Sequence, residues 1–187
     1  MRIIGGKFKG KKILQPKDKE TRPLKDLAKE SIFNIINHSN KFSINIENSI
    51  VLDLFAGVGS FGLECLSRGA KHVTFVEKYN SVLPILKRNL NNLNMSEKYE
   101  IIEEDLISNY FLNKIQLKFN IIFLDPPYKE KRLSKIIDDI FQEKILNKDG
   151  VIIVHRHKKE NDEFSKNFRI LDEKKYGISK IIFGNLN

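Results

Sequence analysis

Cysteine is nearly missing from this chain: Cys65 stands alone among 187 residues, so no internal disulfide can form. Clusters of Cys and His at ligand spacing are missing too, and no metal site is expected. His155 and His157 flank Arg156 beside an apolar run, a context that predicts a strand end rather than a ligand pair. No run of about eighteen apolar residues occurs, which excludes a membrane-spanning helix. The opening residues Met1-Arg2-Ile3-Ile4-Gly5-Gly6-Lys7 lack the apolar core and cleavage site of a secretion signal, so a cytoplasmic location is expected.

Positive charge, by contrast, is abundant. The formal net charge is +9 and the pI near 9.5, which suits a polyanionic partner, although a Lys-, Asn- and Ile-rich composition also follows from biased coding sequence. Placement says more than the total. Residues 1 to 30 hold ten Lys or Arg against four acids, a lopsidedness that resembles a nucleic-acid footprint. Ile3-Ile4, Gly5-Gly6, Lys7 to Gly10 and Ile13-Leu14 read as a small basic hairpin. From Pro23, apolar residues recur at helical spacing through Ile36, with Thr21 as a cap. The division expected is a basic extension over 1–40, made of hairpin and linking helix, and a main domain over 41–187.

Within the main domain, strands and helices alternate: strand 50–54, helix 60–68, strand 72–77, helix 81–93, strand 99–103, a helical stretch around 106–114, strand 119–124, helix 133–143 and strand 151–154. That rhythm predicts an α/β fold with a mostly parallel sheet and helices on both faces. Residues 168–171 and 179–183 break the rhythm and read as an antiparallel pair closing the sheet, separated by a charged stretch and Gly177.

Residues 51–62, "VLDLFAGVGSFG", leave a strand and open a helix, and Gly57, Gly59 and Gly62 satisfy the G-x-G-x-x-G dinucleotide fingerprint. Glu77 ends the next strand where a ribose-binding carboxylate is expected. A nicotinamide or flavin enzyme is therefore a rival reading. Asp53 discriminates, because a carboxylate beside the ligand disfavours an anionic pyrophosphate and favours the ammonium and sulfonium of S-adenosylmethionine. Asp105 is a candidate for the adenine amino group, with Glu103 and Glu104 competing for that role.

The second motif, "FLDPPY" at 123–128, leaves a strand at its carboxyl end, where open parallel sheets bind ligands. Pro126 and Pro127 fix two φ angles and offer no N–H, so Asp125 and the Pro126 carbonyl form a stiff set of acceptors. Tyr128 adds a ring on which a splayed nucleobase can stack. Acceptors and a ring together suit a planar base with an exocyclic amine.

These residues resemble the amino-methyltransferases that pair an adenosylmethionine loop with [D/N]-P-P-[Y/F]. More narrowly, "MRIIGGKFKGKKI", "TRPLKDLAKESIFNII", "VLDLFAGVGSFGLECLSRGA", "FVE", "FLDPPY" and "YGISKIIFG" resemble the RsmD type of bacterial 16S ribosomal RNA guanine-N2 methyltransferase. The resemblance implies a Rossmann-like class I methyltransferase with a seven-stranded sheet, S-adenosylmethionine as cofactor, and 16S rRNA or an assembling small subunit as partner of a monomer. It implies cofactor binding by Asp53, Phe55, Ala56, Gly57, Gly59, Glu77 and Asp105, and catalysis by Asp125, Pro126 and Tyr128. Arg2, Lys7, Lys9, Lys11, Lys12 and Arg22 would then clamp phosphates. The chain departs from the family after Thr21-Arg22-Pro23, where Leu24, Leu27 and Ala28 replace an Arg-rich stretch, and at His155, where the family often has Glu. Two rivals remain at this point: an adenine-N6 DNA methyltransferase and a non-catalytic ribosome-assembly protein.

Overall fold

Strands that are apolar on both faces need cover on both sides, and this chain supplies it by alternation. The computed structural model describes residues 1–16, 24, 26–105, 112, 115–127 and 129–187. After α1 (Asp26–His38) come β1 (Ile50–Leu54), α2 (Ser60–Ser67), β2 (His72–Val76), α3 (Leu83–Asn91) and a 3₁₀ turn at Ser96–Lys98. Then follow β3 (Tyr99–Ile102), β4 (Phe119–Leu124), α4 (Leu133–Gln142), β5 (Leu146–His157), β6 (Phe168–Tyr176) and β7 (Ser179–Leu186). Thr21, Arg22 and Pro23, the helical stretch proposed around 106–114 apart from Leu112, and Tyr128 lie outside the described residues.

The seven strands form one sheet in the order β3-β2-β1-β4-β5-β7-β6. β1 to β5 are parallel, while β7 runs antiparallel between β5 and β6. The fold is thus the Rossmann-like doubly wound sheet with an antiparallel end. The chain winds outward from β1 to β3, then returns to place β4 on the other side of β1. That reversal opens a crevice at the carboxyl ends of β1 and β4, where ligands bind in such sheets.

Side chains alternate across the sheet. Val51, Ile121 and Phe123 enter one core with Phe33 of α1, Phe61 of α2 and Leu86 of α3. Leu52, Leu54, Ile122 and Leu124 face Leu133, Ile136, Ile137 and Ile140 of α4. On the first face Phe33, Phe61 and Phe123 stack in a column, with ring centroids 5.4 and 4.1 Å apart. All of α2 is buried, because the N-terminal arm and α1 cover the side that the sheet does not.

Several expectations are revised, among them the end of β7, which runs to Leu186 rather than to residue 183. β5 begins at Leu146 rather than at Val151, reaching back across a register shift opposite Phe119 and Ile121, and runs to His157 rather than ending at Val154. β6 continues through the charged residues to Tyr176; at the sheet edge, a strand can keep one side in water and still pair. The basic arm is less regular than a hairpin, since its only strand pairing among the described residues is an isolated antiparallel bridge, Arg2 to Lys12. The bonds Ile3 N to Lys11 O, Gly10 N to Ile3 O and Ile13 N to Met1 O close it into a loop.

Candidate active site

Register brings the two motifs together. Leu54 pairs with Val76 on one side and Leu124 on the other, and Leu124 pairs with Val154. One step further along stand Phe55, Glu77 and Asp125, just past the ends of β1, β2 and β4, and His155 within β5, which runs on to His157, so the four residues come to one rim. The row is continued by bonds from Asp125 N to Leu54 O and from Glu77 N to Ile102 O.

The glycine loop closes over this rim. Phe55 has φ 60°, a left-handed conformation that is strained for an aromatic residue and typical of ligand-clamping turns. The glycines of the fingerprint divide their work. A Cβ on Gly62 would lie 2.2 Å from the Phe75 ring and one on Gly59 2.6 Å from Leu86, so both permit close packing beneath the loop. Gly57, at φ +56°, would meet nothing within 4 Å. Its open side is the approach that a bound nucleoside needs.

Both Glu77 oxygens hold this loop in shape: Oε2 accepts the Gly57 N–H at 2.7 Å, and Oε1 accepts those of Lys78 and Tyr79 at 2.9 and 2.8 Å. Asp53 is only 1% exposed, and its Oδ2 accepts the Gly62 N–H at 3.0 Å. Burial pushes the Asp53 carboxyl well above the usual range; the Gly62 bond opposes this, and the charges of Asp125 and Glu77 add to it. Three carboxylates therefore share one electrostatic neighbourhood. Such a site fits a cationic ligand and opposes a pyrophosphate. Asp105 receives a bond from Lys78 at 3.0 Å, beside Glu77 in sequence, whereas Glu103 pairs with Lys87 of α3. Ala56 is buried, its N–H bonded to Val76 O at 3.0 Å.

At the D-P-P segment Asp125 is half-buried, Pro126 buried and Pro127 exposed. His155 Nδ1 lies 2.8 Å from Asp125 Oδ1, and Nε2 lies 2.9 Å from Ser179 Oγ. Arg156 directs its guanidinium to the carbonyls of Pro127 and Glu130 at 3.3 and 3.2 Å. Sequence patterning alone predicts no role at the site for either residue. The signal was available: a polar triplet, His155-Arg156-His157, ending an apolar parallel strand must stand at the ligand rim.

The model of the family described as "Conserved hypothetical protein 95" matches residues 1–185. The chain belongs to that family. It is 34% identical over 179 residues to "Ribosomal RNA small subunit methyltransferase D" of Haemophilus influenzae, with 95% of this chain and 90% of that protein covered. To the protein of the same name from Buchnera aphidicola it is 32% identical, covering 92% and 86%. Among solved structures, HI0767 of Haemophilus influenzae is 33% identical with TM-score 0.76, covering 100% of this chain and 99% of that chain. YhhF of Escherichia coli is 27% identical with TM-score 0.82, covering 98% and 96%.

This family member anchors its basic arm firmly. Glu64, fully buried in α2, accepts the Ile4 N–H at 2.8 Å and the Arg68 Nε–H at 2.9 Å, and faces Lys29 at 3.5 Å. Lys29 in turn donates to the Arg2 carbonyl at 2.6 Å. Ser67 accepts the Phe8 N–H and donates to the Gly5 carbonyl. A Cβ on Gly6 would sit 1.9 Å from the Ser67 carbonyl, so only glycine allows this approach. Arg2, Lys7, Lys9, Lys11 and Lys12 are exposed on the arm, with Lys11 donating to the Asn92 carbonyl and the Lys7 and Lys11 ammonium groups 5.6 and 5.2 Å from the Phe8 ring centroid. Asn89 joins arm to loop, accepting the Leu14 N–H and donating to the carbonyls of Leu14 and Val58.

Among the described residues no group of three or more His, Cys, Asp or Glu could hold a metal ion. No described helix is long and apolar enough to cross a membrane. Cys65 is buried and its thiol pushed well above its usual range by burial, which removes it as a nucleophile.

Proposed function

We propose that this protein is an S-adenosylmethionine-dependent rRNA methyltransferase that modifies the exocyclic N2 of one guanine in the 16S rRNA of the small ribosomal subunit. The single observation that carries the reading is the shared rim: the open Gly57 loop and the Asp125-Pro126-Pro127 acceptors emerge side by side from β1 and β4. The names of the relatives support the rRNA substrate.

Asp53, Phe55, Ala56, Gly57, Gly59, Glu77 and Asp105 would hold the cofactor, which supplies an electrophilic methyl carried on a sulfonium. The carboxylate neighbourhood favours that positive charge. Asp125 and the Pro126 carbonyl would accept the N–H groups of the substrate amine, so that its nitrogen lone pair faces the methyl-donor site, and the proton the amine gives up on methylation would leave through the Asp125 carboxylate to water. Tyr128 stacks on the flipped base, an interaction worth roughly 1–3 kcal/mol. Extrusion costs a few kcal/mol, least for a base already in a loop. The reaction needs positioning and electrostatics and no covalent enzyme intermediate.

The arm cations Arg2, Lys7, Lys9, Lys11 and Lys12, with Arg22, clamp phosphates, and the protein works as a monomer in the cytoplasm. Calorimetry provides the first check: adenosylmethionine should bind and NAD should not. Mapping modified bases in 16S rRNA from cells with and without the gene should then reveal one missing N2-methylguanine, restored by adding protein and cofactor. An intact modification pattern in cells lacking the gene would refute the reading.

A further inference from the structure

We infer that β5 sets the geometry of the acceptor segment from both faces of the sheet, with His155 orienting the Asp125 carboxylate and Arg156 fixing the backbone that follows it. This rests on the methyltransferase reading above. Consecutive residues of a strand point to opposite faces. The pairing of Leu124 with Val154 puts His155 next to Asp125, one step beyond the register, while Arg156 reaches the segment from the other side.

A carboxylate facing an open rim rotates freely about its last torsion, which is broad and shallow. His155 removes that freedom by engaging Oδ1 at 2.8 Å, which directs the second oxygen to the substrate amine. Opposite a carboxylate, Nδ1 must carry the ring proton. In the neutral ring, Nε2 then accepts from the Ser179 hydroxyl on β7, so the order of donation runs from Ser179 to His155 to Asp125. His155 is 8% exposed and is therefore built into the wall of the site.

Arg156 is 3% exposed and holds both Asp162 oxygens through Nε at 3.0 and 3.1 Å. Nη2 also lies 2.8 Å from Asp162 Oδ1 and donates to the Glu130 carbonyl, while Nη1 donates to the Pro127 carbonyl; these two carbonyls belong to residues linked by a bond from Glu130 N to Pro127 O at 2.9 Å. The turn after Asp125 is thus tied to the sheet through groups that do not touch substrate. These are positioning residues.

Three substitutions separate the bonds. Asn at 155 keeps a donor where Nδ1 stands, Gln extends past it toward Ser179, and Ala removes both interactions. His155→Ala should lower kcat on 16S rRNA roughly tenfold to a hundredfold, while KM and the calorimetric Kd for adenosylmethionine stay within about twofold. His155→Asn should recover most of the loss and His155→Gln little of it, with unchanged thermal midpoints showing that the fold is intact. Arg156→Lys, which keeps the charge for Asp162 and cannot reach both carbonyls, should lower kcat several-fold.

Long-range ¹H–¹⁵N NMR of the His155 ring needs no substrate: Nδ1 should bear the proton and its resonance should move in Asp125→Ala. Wild-type kcat in His155→Ala, recovery by Gln rather than Asn, or a proton on Nε2 alone would overturn the proposal. A wild-type protein inactive on rRNA refutes the functional reading instead, and the NMR result then decides the positioning role by itself.

Discussion

Asp53, in its proposed role beside the cofactor, would serve binding at the expense of stability. Burial raises its carboxyl above the ordinary range, so between that range and the raised value the native state keeps a proton that the unfolded chain has released. Stability therefore falls as pH rises through this window. Asp53→Asn removes that dependence while retaining an oxygen for Gly62, and thermal unfolding should show a midpoint at neutral pH no lower than wild type. Above that window, where the wild-type carboxyl is ionised, the same substitution should weaken adenosylmethionine roughly tenfold or more, since it removes a charge from a low-dielectric site; within the window the loss should be smaller. Affinity for the cationic cofactor should also climb with pH across the same window, and affinity for uncharged adenosylhomocysteine should climb much less. Calorimetry over a pH series with both ligands checks this. The sequence shows why an acid belongs at residue 53, but not that its oxygen meets the Gly62 amide; that follows from packing α2 against β1.

At the scale of elements, α2 is the hinge between the arm and the sheet. Removing the Glu64 carboxylate leaves buried Lys29 with only the more distant, part-exposed Asp26 at 3.8 Å as counter-charge, and breaking a buried pair from one side costs up to about 3–5 kcal/mol. Glu64→Ala should therefore lower denaturant stability by that order and free the Ile4 amide to exchange. Replacing Lys9 and Lys12 by Gln should leave stability unchanged and weaken rRNA binding. For every phosphate no longer neutralised, the slope of log affinity against log salt should become shallower by about 0.7–0.9. An unchanged slope would remove these lysines from the interface. The central elements were legible because their apolar runs are bounded by turn residues: β4 matches residues 119–124 as expected, and β1, β2 and α4 agree within a residue or so. β6 was less legible because the charges of Asp172 to Lys175 mask an edge strand whose pairing to β7 is a backbone property.

For the molecule as a whole, the basic arm shares its core with the sheet: Ile3, Ile13, Phe33 and Ile36 lie in the same buried cluster as Val51, Phe61 and Phe123. A fragment of residues 41–187 should therefore expose the outer side of α2 and fail to show a cooperative thermal transition. The mostly parallel α/β class could be anticipated from alternation and the seven-stranded sheet from the family resemblance, whereas the strand order was not legible in the sequence. The meeting of Asp125 with His155 and Arg156 could not, because it depends on a register one step past the last paired residues. Methyl transfer as proposed turns on Asp125 gripping a guanine amine beside a bound methyl donor. The most direct test is single-turnover transfer from methyl-labelled adenosylmethionine to small-subunit rRNA, with wild type compared with Asp125→Ala and the labelled nucleoside identified by mass spectrometry. N2-methylguanosine should form with wild type and fall by about 10²-fold or more in the variant while the cofactor still binds. Label in adenine, or equal rates from the two proteins, would contradict it.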